Sequence, residues 1–256
     1  RSFLVAPRLD YPVVLKPDVG ERGTGVVIAR DEAQARESLG SACGDLLVQE
    51  FVPGAEAGVF YVRHPEEPRG RILSLTTKEF PVVIGDGRRT LETLILADDR
   101  AVCMAPTFLA RFAERLDEVP ADGEPVPLVE IGNHCRGTVF RDGRALITAE
   151  LEAAIDELAR GYDGFHFGRF DLRAPSLAAL AAGGPFKVLE LNGVTSEMAH
   201  VYEPGTSLLT AWRTLARQWQ LAFTLGAANV ARGARPTPLA ELLALVARHL
   251  RGERGD

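Results

Sequence analysis

Two stretches, FGRFDLR at residues 167–173 and FKVLELN at 186–192, constrain this chain more than any other feature. Each is a run fit for burial, interrupted by charge at alternate positions. Side chains in a strand alternate faces, so Phe167, Arg169, Asp171 and Arg173 are expected on one face of the first strand. By the same rule Val188, Glu190 and Asn192 share a face of the second. The loop between them holds Gly183, Gly184 and Pro185 and lets the strands pair antiparallel. Asp171, Glu190 and Asn192 then converge on one face of a sheet. Two carboxylates and an amide oxygen there are costly unless something positive sits among them. Magnesium suits such a set, since it takes oxygen ligands and binds one or two carboxylates together with substrate phosphates. Arg169 beside them would stabilise charge developing on a transferring phosphoryl group. The plainer alternative is a solvated sheet face with ordinary charges and a turn asparagine.

A second feature lies near the start, in PVVLKPDVGERGTGVVIAR at residues 12–30. Gly20, Gly23 and Gly25 fall as G-x-x-G-x-G, which is neither a Walker loop nor a Rossmann fingerprint. Gly25 is followed by Val26 and Val27 rather than by Lys-Ser or Lys-Thr. Both familiar motifs open a helix, whereas this one opens a strand. Strand, glycine turn, strand reads as a flap whose bare N–H groups can fold over phosphates, with Lys16 adding a cationic contact from beneath. It also reads as no more than a flexible hairpin.

Composition excludes several classes. A net charge of −6 and no basic stripe with interleaved aromatics argue against nucleic acid as a partner. The three cysteines, Cys43, Cys103 and Cys135, form no CxxC pair, so neither a disulfide framework nor a zinc site is expected and a cytoplasmic location fits. No apolar run reaches the length of a membrane span. A strand-like run begins almost at once, as though the chain were a piece of something longer.

Along the chain, strands are expected at YPVVLKP, TGVVIAR, DLLVQEFVPG, AGVFYVR, within GRILSLTTKEFPVVIGDG, and at PVPLVEIGN. Helices are expected at DEAQARESLGSA behind an Asp31 cap, at TLETLILADDRAV, at APTFLARFAERLDEV and at TAELEAAIDELARGY behind Thr148. GTVFRDG carries an Asp-Gly hairpin signal. Two helical stretches close the chain, the last with Leu239, Leu242, Leu243, Val246 and Leu250 on one stripe. That stripe is expected to pack on the body of the protein or to form a homodimer contact. Consecutive strands joined by tight turns favour an α+β fold with antiparallel sheets.

These motifs, in their order and spacing, resemble the ATP-grasp superfamily of carboxylate–amine ligases, which includes D-alanine–D-alanine ligase, glutathione synthetase and cyanophycin synthetase. The matching stretches are PVVLKPDVGERGTGVVI, LLVQEFVPGAEAGVFYV, FGRFDLR and VLELNGVTSE, and the resemblance covers roughly residues 10 to 225. It implies an ATP-grasp fold of two α+β subdomains gripping ATP between antiparallel sheets. Residues 1–50 would form the small lid, 51–232 the larger subdomain with the metal site, and 233–256 a C-terminal helix and tail. A domain that usually precedes these in the family is not visible in the sequence.

Carried onto this sequence, the resemblance makes Lys16 the nucleotide-phosphate lysine and Gly20, Gly23 and Gly25 the flap. Gln49, Glu50, Phe51 and Val52 look like the adenine hinge, with backbone groups of Glu50 and Val52 reading the base edge. Glu56 looks like the ribose carboxylate. Asp171, Glu190 and Asn192 look like the ligands of magnesium or manganese, and Arg169 like the acyl-phosphate stabiliser. Lys78 is similar to a basic residue of the cyanophycin-synthetase-like branch, and Arg136, with Asn133, lies where that branch carries a substrate loop. Lys78 and Arg136 also read as a solvated strand lysine and a surface turn residue. His134 and Cys135 lack a partner cluster, and His200 reads as local support. The implied chemistry joins a small-molecule carboxylate to an amine through an acyl phosphate. A nucleotide-binding module without ligase activity is the alternative, and a kinase-like reading finds no HRD or DFG sequence.

Overall fold

A computed structural model describes residues 9–20, 23–42, 44–132 and 137–251. Asn133, His134, Cys135 and Arg136 lie outside the described residues, as does Cys43. The architecture is α+β with antiparallel sheets, as expected. Strands β1 (Val13–Pro17), β2 (Val27–Ala29) and β3 (Leu46–Glu50) form a three-stranded sheet in the order β2-β1-β3. Helix α1 (Glu32–Ser41) lies on it, opened by Asp31, whose side chain accepts from the Gln34 N–H at 2.9 Å. Val13, Leu15, Ala29 and Ala35 make the small core between them.

The larger sheet contains β4 (Ala55–Val62), β5 (Arg71–Glu79), β8 (Val139–Asp142), β9 (Phe167–Ala174) and β10 (Lys187–Asn192). Its order is β10-β9-β4-β5-β8, antiparallel throughout. Alternation gives it two unlike faces. Ala57, Val59, Phe170 and Leu172 point to a core closed by Leu151, Ile155 and Ala159 of α4 (Ala149–Arg160) and Leu180 of α5 (Leu177–Ala181). Glu56, Gly58, Arg169, Asp171 and Arg173 occupy the other face. Thr148 caps α4 as expected, accepting from the Leu151 N–H.

Between β5 and β8 in the chain, β6 (Val82–Ile84), α2 (Leu91–Ala97), α3 (Ala105–Arg111) and β7 (Pro125–Pro127) enclose a second core around Leu91, Ile95, Phe108 and Leu128. Helix α3 stops well short of the 105–119 expected. Its continuation turns back so that Leu116 and Glu118 carbonyls accept from the N–H groups of Glu92 and Leu91. The Asp-Gly hairpin signal is also overturned. Asp142 instead accepts from the Arg144 N–H, Gly143 donates to the Leu75 carbonyl, and the chain leaves through a 3-10 turn toward α4.

Helix α6 (Leu208–Ala231) follows a 3-10 turn at Ala199–Tyr202, and α7 (Leu239–Leu250) ends the described chain. The stripe expected to pack on the body does not do so, since Leu239 and Leu250 remain 69% and 79% exposed. Among the described residues no helix is long and apolar enough to cross a membrane.

Candidate active site

A cleft of about 590 Å³ lies between the three-stranded sheet and the polar face of the larger one. Lys16, Gly20 and Gly23 line its upper wall, with Gln49, Glu50, Phe51 and Val52 at the side where β3 leaves toward β4. Glu56, Lys78, Arg169, Asp171, Glu190 and Asn192 line the floor. Residues scattered over 177 positions of sequence are thus brought to one cavity (Lys16 to Asn192 inclusive). Gly25 sits just outside it, between Thr24 and Val26, which do line it. Its φ is +72°, and a Cβ there would meet Pro17 Cγ at 2.8 Å, so the turn requires glycine.

The floor is built by register. Glu190 pairs with Asp171, and Asn192 with Arg169, so the acidic pair and the amide stand side by side on adjacent strands. A β-bulge between Val188 and Glu190 makes Leu189 the extra residue. Val188 is therefore not on the face of Glu190 and Asn192, as strict alternation predicted, but packs into the core beneath. The bulge also presents the Leu189 carbonyl to the upper wall, where it accepts from Lys16 Nζ at 3.3 Å.

Asp171 is buried at 7% exposure. Its Oδ2 accepts from Arg169 Nη2 and from Asn192 Nδ2, each at 3.0 Å. Its Oδ1 accepts no hydrogen bond, the Lys78 ammonium standing off at 3.5 Å. A buried carboxylate oxygen that accepts no hydrogen bond and meets one ammonium only at ion-pair distance keeps a lone pair for a further cation. Two carboxylates and an amide oxygen on adjacent strands match the oxygen-only preference of magnesium or manganese. Among the described residues no group of three or more His, Cys, Asp or Glu could hold a metal ion, so an ion here would rest on two carboxylates and one amide oxygen.

Lys78 donates to Glu56 Oε1 at 2.6 Å and to the Gly132 carbonyl at 3.2 Å. A Cβ on Gly132 would lie 2.7 Å from Glu56, so this approach also needs glycine. Glu56 Oε2 accepts from Arg173 Nε and Nη2 at 3.0 and 2.9 Å. The carboxylate assigned to ribose by resemblance is thus already neutralised by two buried cations. Alternation places Arg173 on this face, but no motif assigns it a task.

Ser74 Oγ on β5 and His200 Nδ1 are 2.7 Å apart and both buried. Burial holds the His200 imidazole below its ordinary range; Asp142 opposes this, Arg144 adds to it and Glu203 opposes it. The contact fastens the 199–202 turn to β5 and supports the local role expected of this histidine. Tyr202, on that turn, donates to the Glu197 carboxylate, and Tyr202 is pushed up to about 12 by burial and then by Glu197.

Residues 2–63 match the family model described as RimK-like ATP-grasp domain. The ATP-grasp resemblance read from the motifs is met by that match. No curated protein matches the chain. Three solved structures align with it, each at a TM-score of 0.42. A bifunctional glutathione synthetase from Pasteurella multocida is 18% identical over 82% of this chain and 30% of its own. The VanG D-Ala:D-Ser ligase from Enterococcus faecalis is 16% identical over 82% of this chain and 50% of its own. A D-alanine–D-alanine ligase from Bacillus anthracis is 13% identical over 86% of this chain and 54% of its own. The chain spans between about a third and about half of the length of these three proteins.

Proposed function

We propose that this chain carries the nucleotide-binding and phosphoryl-transfer site of an ATP-dependent carboxylate–amine ligase that forms an amide through an acyl phosphate and releases ADP. The observation that supports the reading most is the buried Oδ1 of Asp171, which accepts no hydrogen bond and meets only the Lys78 ammonium at 3.5 Å, on a floor shared with Glu190 and Asn192 in the cavity that Lys16 also lines. A magnesium or manganese ion held by these three residues would supply charge neutralisation for phosphate oxygens. Phosphoryl transfer asks the protein mainly for positioning and electrostatic stabilisation. Lys16 and the loop N–H groups of the upper wall would hold phosphates, and the backbone of residues 49–52 the base. Arg169, whose Nε is buried without a partner, would donate to the oxygens that gain charge as the carboxylate takes the phosphoryl group. The amine then displaces phosphate. Closure of the glycine loop would keep water from hydrolysing the acyl phosphate.

Asp171→Asn keeps the size of the side chain and removes its charge. Carboxylate- and amine-dependent ADP formation should fall by on the order of a hundredfold or more, with the melting temperature little changed. A variant that turns over at the full rate removes the proposed role of Asp171. ADP release that ignores both carboxylate and amine removes the ligase reading.

A further inference from the structure

Arg173 holds contacts to several parts of the cleft, and neither the motifs nor the resemblance gives it a role. It is buried at 9% exposure on β9 and directly opposite Glu56 of β4. Its planar fork makes contacts to three separate walls. Nε and Nη2 donate to Glu56 Oε2, Nη1 donates to the Val52 carbonyl at 2.8 Å, and Nη2 reaches the Glu130 carbonyl at 3.3 Å. The rings of Phe51 and Phe80 flank the guanidinium, with centroids at 5.6 and 5.9 Å. From Glu56 the contacts continue to Lys78 at 2.6 Å and from Lys78 toward Asp171 at 3.5 Å.

We propose that Arg173 is a positioning residue of the nucleotide cleft, which joins Val52 in the β3–β4 connection to the floor of the cleft by fixing Glu56 and, through Glu56, Lys78. The chemistry of the pair explains why an arginine is needed. Glu56 alone between two cations could swing toward either. Two N–H groups of the guanidinium converge on Oε2, which sets the orientation of the carboxylate and leaves Oε1 for Lys78. Lys78 so held stands off from Asp171 rather than closing on it, and Asp171 keeps an oxygen for a metal. A lysine at position 173 would keep the charge, yet one ammonium cannot replace a fork that meets Val52, Glu56 and Glu130 at once.

The inference rests on the nucleotide-binding part of the proposed function, and a double-mutant cycle on ADP affinity tests it. Isothermal titration calorimetry with magnesium and ADP would be run on the wild type, Arg173→Met, Glu56→Gln and the double variant, with thermal melting as the check on folding. Each single change is expected to weaken ADP about tenfold. The double variant should be no weaker than the weaker single one, because both act through the same contact. Losses that multiply to about a hundredfold mean that the two residues act separately and overturn the proposal, as does unchanged affinity in Arg173→Met. If Arg173→Met fails to fold, Arg173→Lys decides: weakened ADP binding at an unchanged melting temperature supports positioning, and wild-type affinity overturns it. A wild-type protein that binds ADP but ligates nothing removes the ligase reading and leaves the cycle decisive. One that binds no ADP removes both.

Discussion

At the scale of single residues, the three glycines of the loop are not equivalent. Gly23 and Gly25 have φ of 70° and 72°, a region costly to side chains, whereas Gly20 meets only ordinary contacts. Gly25→Ala should therefore cost about 1–2 kcal/mol in unfolding free energy and raise the Michaelis constant for ATP, while Gly20→Ala should leave both nearly unchanged. Urea unfolding and initial rates on the two variants check this, and equal effects would contradict it. The floor residues were legible because strand alternation is a geometric rule: Arg169, Asp171 and Arg173 fell on one face as the period of two requires. The same rule misplaced Val188, because a bulge adds a residue without leaving a mark in the amino-acid order. The task of Arg173 was illegible for another reason. Its partners Val52, Glu56 and Glu130 are 121, 117 and 43 positions away, and two of the three are met through backbone carbonyls that every residue type offers.

At the scale of elements, the Ser74–His200 contact ties the turn at Ala199–Tyr202 to β5. The folded-state pKa of His200 lies below its unfolded value of about 6.5. Its contribution to stability is then fully present above about pH 6.5 and is lost as pH falls through that value toward the folded pKa. His200→Asn, which does not titrate, should show a smaller loss of unfolding free energy between pH 7 and pH 5 than the wild type. Denaturant melts at the two pH values measure it, and identical losses would exclude a role for His200. Helix limits were the least legible part of the fold. The stretch 105–119 has helical periodicity throughout, but Phe112 is buried in the core shared with α2, and the chain must bend to put it there. Caps read better, because Asp31 and Thr148 bond to their own helices and need no distant partner.

At the scale of the whole molecule, the three-stranded sheet is fastened to the rest by exposed charges as well as by the Lys16 contact. Arg30 bonds to Glu130, and Lys187 meets Glu50 at 2.5 Å, with side chains half exposed at Lys187 and Glu50. Such pairs are weak and screened by salt. Arg30→Ala combined with Lys187→Ala should therefore speed amide hydrogen exchange across residues 13–50 while leaving the core of β4, β5 and β9 unaffected. Uniform acceleration would mean that the two parts open together. The bulge at Leu189 has a consequence for how such a cleft is first entered. Its carbonyl occupies Lys16 with an uncharged acceptor, so the ammonium stays aimed at the gap without being spent on a carboxylate. On the proposed function, an incoming phosphate would offer the stronger charge-assisted bond and would have a neutral placeholder to evict.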